Sequence, residues 1–184
     1  MTVTVRETPP VRMDEGFAVQ PGGWYVVNAR EARWVAQQGM WRGAWLEPET
    51  EPWSTLGFTV TVLDPGNPGG RYHAESNHEV FLVVDGEVTL LVEGEERRLR
   101  QWDFFHCPPG TEHIFVGAGD EPCVILMAGT RTPDEQLHYP VSELAARYGA
   151  SAEEETTSFE EASVGRFAPS RRERPSYWDQ LPWA

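Results

Sequence analysis

The sequence predicts an all-β fold, an antiparallel sandwich or barrel followed by a short C-terminal helical extension. Three observations carry that reading. Between residues 56 and 128, short apolar-alternating runs follow one another with Gly, Pro, Asn or Asp between them, and no helical repeat intervenes. After residue 128 the apolar spacing changes to three and four, the period of an amphipathic helix. At 184 residues the chain is long enough for one domain with an ordinary core plus extensions.

Residues 1–22 hold Pro9, Pro10, Pro21 and Gly22 among scattered charges without a period, and are expected to form a mobile arm. The barrel is expected over 23–130. Its first part, 23–28 (GWYVVN), reads as a short strand, 29–35 as a weak helical turn, and 40–46 as another strand. Leu56–Leu63 alternates cleanly and ends at Asp64-Pro65-Gly66 and Asn67-Pro68-Gly69-Gly70. Further strands are expected near 71–75, 79–84, 87–92, 97–100, 103–107, 112–117 and 122–128. Asp85-Gly86 is a two-residue hairpin signal, and Glu93-Gly94-Glu95 a turn.

The third segment, 131–184, is expected to be a helix and a tail packed on the barrel or on a dimer partner. Thr132-Pro133-Asp134-Glu135 has the form of a capping box with Pro at the first helical position. Val141, Leu144, Ala145 and Tyr148 repeat at helical spacing, and Gly149 supplies a stop. Ser151 with Glu154 and Ser158 with Glu161 are candidate caps for further short helices. The tail carries Tyr177, Trp178 and Trp183, whose apolar faces call for a docked position rather than a free one.

Composition excludes several function classes. The formal charge is −14, and all fifteen basic residues are Arg. The absence of Lys removes Schiff-base and lysine-nucleophile mechanisms. The acidic balance argues against nucleic acid, whose binding rests on phosphate neutralisation, and against anionic membrane surfaces. No apolar run approaches the ~20 residues that span a bilayer, and the polar N-terminus carries no signal-peptide core. Cys107 and Cys123 sit in apolar runs and read as buried reduced thiols rather than a disulfide framework. A cytoplasmic location is the expectation.

The chemistry concentrates between Gly70 and Gly117, where four of the five histidines lie. Arg71, His73 and Glu75 fall two apart and share one face of a strand. Ser76-Asn77-His78 breaks that strand, and Glu79, Phe81 and Val83 share a face on the next. Pro108-Pro109-Gly110 then closes a strand, and His113 opens the one after it.

These residues resemble the two motifs of the cupin superfamily, whose fold is a small double-stranded β-helix barrel of jelly-roll type. His73, Glu75, Glu79 and Gly86 stand at the positions of the first motif, with a glutamate in place of its second histidine. Pro108, Gly110 and His113 match the second. Asn67 and Trp102 stand where the motifs usually begin with glycine, and Gly117 where asparagine is usual. The resemblance covers about residues 55 to 128. It implies the fold and a metal site, and little about the reaction, because one fold hosts many chemistries.

On that alignment His73, Glu79 and His113 form a two-histidine, one-carboxylate set, a type that leaves coordination positions open. Glu75 is the expected fourth ligand, and the set suits one divalent ion, Mn or Fe ahead of Zn or Ni. The competing reading is an empty barrel in which these groups hydrogen-bond one another. That arrangement crowds two carboxylates, one of which would have to stay protonated. Arg71 either pairs with a substrate carboxylate or enolate, or bridges to an acidic residue at the barrel mouth. Phe81 and Phe115 are expected to wall the pocket. His78 reads as a solvent-facing turn residue, or else as a substitute ligand or proton shuttle. His106 reads as structural.

The functional expectation is a metal-dependent enzyme acting on a small anionic organic molecule, of dioxygenase or isomerase type by family analogy. The alternative is a non-catalytic cupin that binds a small molecule or sugar. Since the family commonly pairs through its barrel faces, a homodimer is expected, with no nucleic-acid partner and no membrane.

Overall fold

The structure, a computed structural model, describes residues 5–37, 40–163 and 171–172. In chain order the strands are β1 (Val11–Met13), β2 (Gly16–Ala18), β3 (Arg33–Gln37), β4 (Trp41–Trp45), β5 (Leu56–Leu63), β6 (Ala74–Glu75) and β7 (Glu79–Asp85). They continue as β8 (Glu87–Val92), β9 (Glu95–Arg100), β10 (Phe104–Cys107), β11 (His113–Ala118), β12 (Cys123–Thr130) and β13 (Leu137–His138). Two short helices follow, α1 (Glu143–Arg147) and α2 (Phe159–Ala162), and β14 (Arg171–Arg172) closes the series. A seven-stranded sheet runs β10-β7-β12-β5-β4-β3-β14 and a three-stranded one β11-β8-β9, while β13-β6 and β1-β2 form separate pairs. All of these strand pairings are antiparallel. The all-β barrel with a short helical extension is the fold expected from the sequence.

Alternation decides what fills the barrel. Phe81 and Val83 of β7, Leu90 of β8, Phe115 of β11 and Ile125 of β12 point between the two main sheets and pack as one cluster with Leu63 and both cysteines. Each such side chain contributes roughly 1.5–3 kcal/mol by leaving water. Cys107 and Cys123 are buried and unbridged, as expected.

The opposite parity of the small sheet presents Leu91, Ile114 and Val116, which together with Tyr72 are covered by Leu144, Ala145, Tyr148 and Ala150 of the extension. Backbone contacts fasten the cover, Tyr72 N–H donating to the Ala150 carbonyl at 2.8 Å. The Arg71 guanidinium donates to the carbonyls of Ser151 at 2.6 Å and Gly149 at 3.3 Å. In α1 the Ser142 hydroxyl accepts from Ala145 N–H at 3.2 Å, a cap worth about 1 kcal/mol.

Several local expectations give way. Within the expected arm, β1 and β2 pair as a hairpin, and Glu7 bridges to Trp24. These strands are three residues long, too short to leave a periodic signal. Residues 23–28 form no strand beyond that bridge, and 29–35 divides between one turn, closed by Glu31 and Ala32 N–H on the Asn28 carbonyl at 2.9 and 3.0 Å, and the start of β3. Asp85-Gly86 makes a corner and not a hairpin, since β7 and β8 lie in different sheets. Gly86 adopts φ +74, and a Cβ there would stand 2.9 Å from Cys123 Cα, so the corner needs both the left-handed backbone and the missing side chain.

Thr132–Glu135 caps no helix. It is a turn closed by Glu135 N–H on the Thr132 carbonyl at 3.2 Å, because a helix begun there would carry Pro140 in its interior. The helix starts after Pro140, at Ser142. Ser158 caps α2 as expected, whereas Ser151 caps nothing and instead accepts Ser142 N–H. The aromatic tail from 173 onward lies outside the described residues.

Candidate metal centre

Two backbone hydrogen bonds set His73 and His113 opposite each other. His73 N–H donates to the His113 carbonyl at 3.1 Å, and His113 N–H returns the bond at 2.8 Å. Their rings stand 4.9 Å apart. Glu79, at the head of β7, turns its carboxylate toward the pair. One donor atom each from His73, Glu79 and His113 lies within 4.8 Å of the other two. Three strands thus bring together the set expected from the sequence.

The tautomers are fixed by what the far side of each ring touches. His73 Nδ1 lies 2.7 Å from the Arg71 carbonyl, and His113 Nδ1 lies 3.1 Å from the Thr111 carbonyl. A carbonyl only accepts, so each Nδ1 carries the proton and each Nε2 presents a lone pair. Burial holds both imidazoles neutral, lowering His73 and depressing His113 to about 3. His113 Nε2 consequently faces Glu79 Oε2 at 3.3 Å with a lone pair on each side. That oxygen is buried and has no hydrogen-bond partner. Two buried lone pairs held face to face are unfavourable until a proton or a cation sits between them. This donor set, with Nδ1 locked from behind, fits a divalent metal ion.

Glu75 falls outside the three-residue cluster. Its carboxyl is within hydrogen-bonding reach of Glu79 and of Glu135. Both Glu75 and Glu79 titrate above the ordinary carboxylate range, first because they are buried. The Glu79 and Glu135 charges add to the effect at Glu75, and Glu135 adds to it at Glu79. Strand β6 spans only Ala74–Glu75 before the chain turns, and Glu75 pairs there with Leu137. That places Glu75 beside the extension as much as beside the cluster.

Glu135 and Tyr139 were not foreseen as site residues. Tyr139 lies 5.8 Å from the His73 ring, and both line the same cavity as the cluster. The sequence signal at Glu135 pointed elsewhere, to a capping box. The pairing of β13 with β6 and the hydrogen bonds of Gln136 to Ser76 and of Thr132 to Asn77 return the extension to the barrel.

The cavity occupies about 980 Å³. Its lining includes His73, Glu75, Glu79 and Glu135 together with Trp45, Trp53 and Phe58, and with Trp41 and Met127, which also pack against the barrel core. At the mouth the Arg131 guanidinium grips the buried Glu47 carboxylate through two bonds of 2.6 and 2.7 Å, a bidentate pair. No sequence signal marked it, because the partners are 84 residues apart.

The remaining expectations divide. Arg71 borders the cavity, but its guanidinium is engaged with the extension's carbonyls. Phe81 and Phe115 do not line the cavity. They pack 4.8 Å apart in the core beneath His113, whose ring is 5.4 Å from Phe81. His78 is exposed, stacks on His106 at 5.7 Å on the outer surface and lies apart from the cavity. Its parity is opposite to that of Glu79, which turns it outward.

A small β-barrel holding a histidine–carboxylate cluster at one end is the class that fold and site define. Residues 59–129, less than half of the chain, match the family model for the cupin domain. No curated protein matches the chain. Among solved structures, a sugar phosphate isomerase of the cupin superfamily from Silicibacter pomeroyi is 27% identical, over 54% of this chain and 64% of that one, with a TM-score of 0.49. An RmlC-like cupin from Shewanella frigidimarina is 20% identical over 59% and 91%, with a TM-score of 0.49. A Cupin 2 conserved barrel domain protein from Salinispora arenicola is 22% identical over 54% and 82%, with a TM-score of 0.46. The chain spans less than two thirds of the Silicibacter protein's length.

Proposed function

We propose that this chain is a metal-dependent cupin enzyme in which His73, Glu79 and His113 hold one divalent ion, Mn or Fe ahead of Zn or Ni. The observation that carries the proposal is the opposed pair His113 Nε2 and Glu79 Oε2, 3.3 Å apart, with both ring tautomers locked to leave Nε2 free. When bound, the ion would supply Lewis-acid or redox chemistry to a small organic molecule in the adjoining cavity. Glu75 acts as a positioning residue that steadies Glu79 through a hydrogen bond. Dioxygenase or isomerase chemistry is the reaction class by family analogy.

The anionic substrate expected from sequence has less support. Of the two cavity arginines, Arg131 is matched by Glu47 and Arg71 is engaged with backbone carbonyls. A homodimer remains part of the proposal, supported by exposed Trp102 and Phe104 beside edge strand β10, and light scattering tests it.

The functional test is elemental analysis after anaerobic reconstitution with Mn, Fe, Zn and Ni in turn, followed by substrate-dependent oxygen uptake and isomerisation assays. One ion per chain with turnover that chelation abolishes is the expected outcome. Stoichiometric metal without turnover across broad substrate panels would favour the non-catalytic binder.

A further inference from the structure

The cavity is divided between two chemistries. At its inner end the cluster carboxylates Glu79 and Glu75 are joined by Glu135, contributed by the extension. Trp45, Trp53 and Phe58 also line the cavity and give it an apolar wall. Trp45 is 42% exposed and Trp53 37% exposed, so aromatic surface stands open beside a concave space. Flat apolar bodies gain both by leaving water and by stacking on such rings.

Charge decides what the polar end of a ligand can be. The Arg131 guanidinium already holds a carboxylate in the geometry that an incoming anion would need, and that carboxylate, Glu47, is buried. An anionic ligand would have to displace Glu47 and leave it stranded. Further in, Glu75, Glu79 and Glu135 bring three carboxyls together, and the Arg71 guanidinium is held by the Ser151 and Gly149 carbonyls, so among the described residues one divalent ion would find its charge already balanced. An anion therefore gains no charge partner among the described lining residues and, in the metal-free protein, bears the cost of facing those carboxyls. An uncharged molecule escapes that cost and keeps the aromatic contacts.

We propose that the cavity takes an uncharged small molecule with a flat apolar body and an oxygen-bearing end, and discriminates against anions of the same shape. The anchoring of the oxygen-bearing end rests on the proposed metal centre. The aromatic wall and the exclusion of anions do not.

Phenylacetamide and phenylacetate share a shape and differ in charge, and ligand-observed NMR titration reads both. On wild type, metal-free and after loading with Zn, the amide should bind about tenfold or more tightly than the carboxylate, a difference of about 1.4 kcal/mol or more. Trp53→Ala should weaken both probes together. Glu135→Gln should narrow the ratio by admitting the carboxylate, and Glu47→Gln should narrow it further by freeing Arg131. Equal affinity, preference for the carboxylate, failure of both probes to bind, or binding untouched by Trp53→Ala would each overturn the proposal. If wild type takes up no ion while the amide is still preferred, the metal centre fails and the charge selection stands. If the ion binds and the carboxylate is preferred, the selection fails alone.

Discussion

Two histidine pairs come from the same stretch of this chain and meet different fates. His73 and His113 stand 4.9 Å apart inside the barrel, and His78 and His106 stand 5.7 Å apart on its surface. Both pairs bring rings from neighbouring chain segments into contact, so proximity alone does not make a site. The inner pair, His113 buried and His73 half-buried, is neutral and hydrogen-bonded from behind through Nδ1, with an unpartnered carboxylate oxygen before it. The outer pair has water on its far side and no acid cluster. Strand parity separates them, because His78 and Glu79 are adjacent and face opposite ways.

The largest way to break the contrast is at the carboxylate. Glu79→Gln removes the charge that a cation would meet while keeping the shape. Metal affinity should fall by more than the roughly 10–100-fold that losing a supporting partner costs, as read by competition with a chelator. Next comes the partner itself. Glu75→Gln should weaken the ion by about 10–100-fold if Glu75 positions Glu79, with the same metals still bound. Loss comparable to that of Glu79→Gln would make Glu75 a ligand.

The effect of pH sharpens the same point, and its sign follows from the two residue types. Glu75 and Glu79 are raised, so the metal-free fold holds protons that the unfolded chain releases above about 4.5. Their contribution is present below that pH and is lost as pH rises through the raised values. His73 and His113 are lowered from 6.5, so their contribution is present above 6.5 and lost as pH falls. Of these four groups, only the carboxylates still change above pH 6.5. The melting temperature of metal-free protein should therefore decline from pH 6.5 toward 8, and the stabilisation given by the ion should grow over that interval. Parallel melting curves for the two forms would contradict this.

The smallest effect belongs to the outer pair. His78→Ala with His106→Ala should lower stability by no more than about 1 kcal/mol, the scale of one exposed ring contact. Metal content should stay unchanged.

Much of this was legible in the sequence, for a physical reason. His73, Glu79, His113 and the strands that carry them are separated by short turns, so period-two alternation fixes which way each points. The outward turn of His78 followed from the same parity. What alternation could not give was long-range. Glu135 and Tyr139 reach the site through the pairing of β13 with β6 and the bonds of Gln136 to Ser76, and the capping-box signal at Thr132 concealed that by suggesting a helix that Pro140 forbids. The Glu47–Arg131 pair at the mouth joins segments with no local relation.

Phe81 and Phe115 have the inward parity expected of them, yet they lie below the cluster, since parity gives the face and not the depth. Trp102 shows a further limit. It occupies a slot that family resemblance assigns to glycine, adopts φ +73 and leaves its indole 69% exposed. The backbone kept the left-handed turn although the residue type that favours it is gone.

Metal stoichiometry of wild type, His113→Ala and His78→Ala, reconstituted side by side and measured by elemental analysis, tests the central claim most directly. The account predicts one ion per chain in wild type and in His78→Ala, and loss of the ion in His113→Ala. An ion retained unchanged by His113→Ala, or lost on His78→Ala, would contradict it.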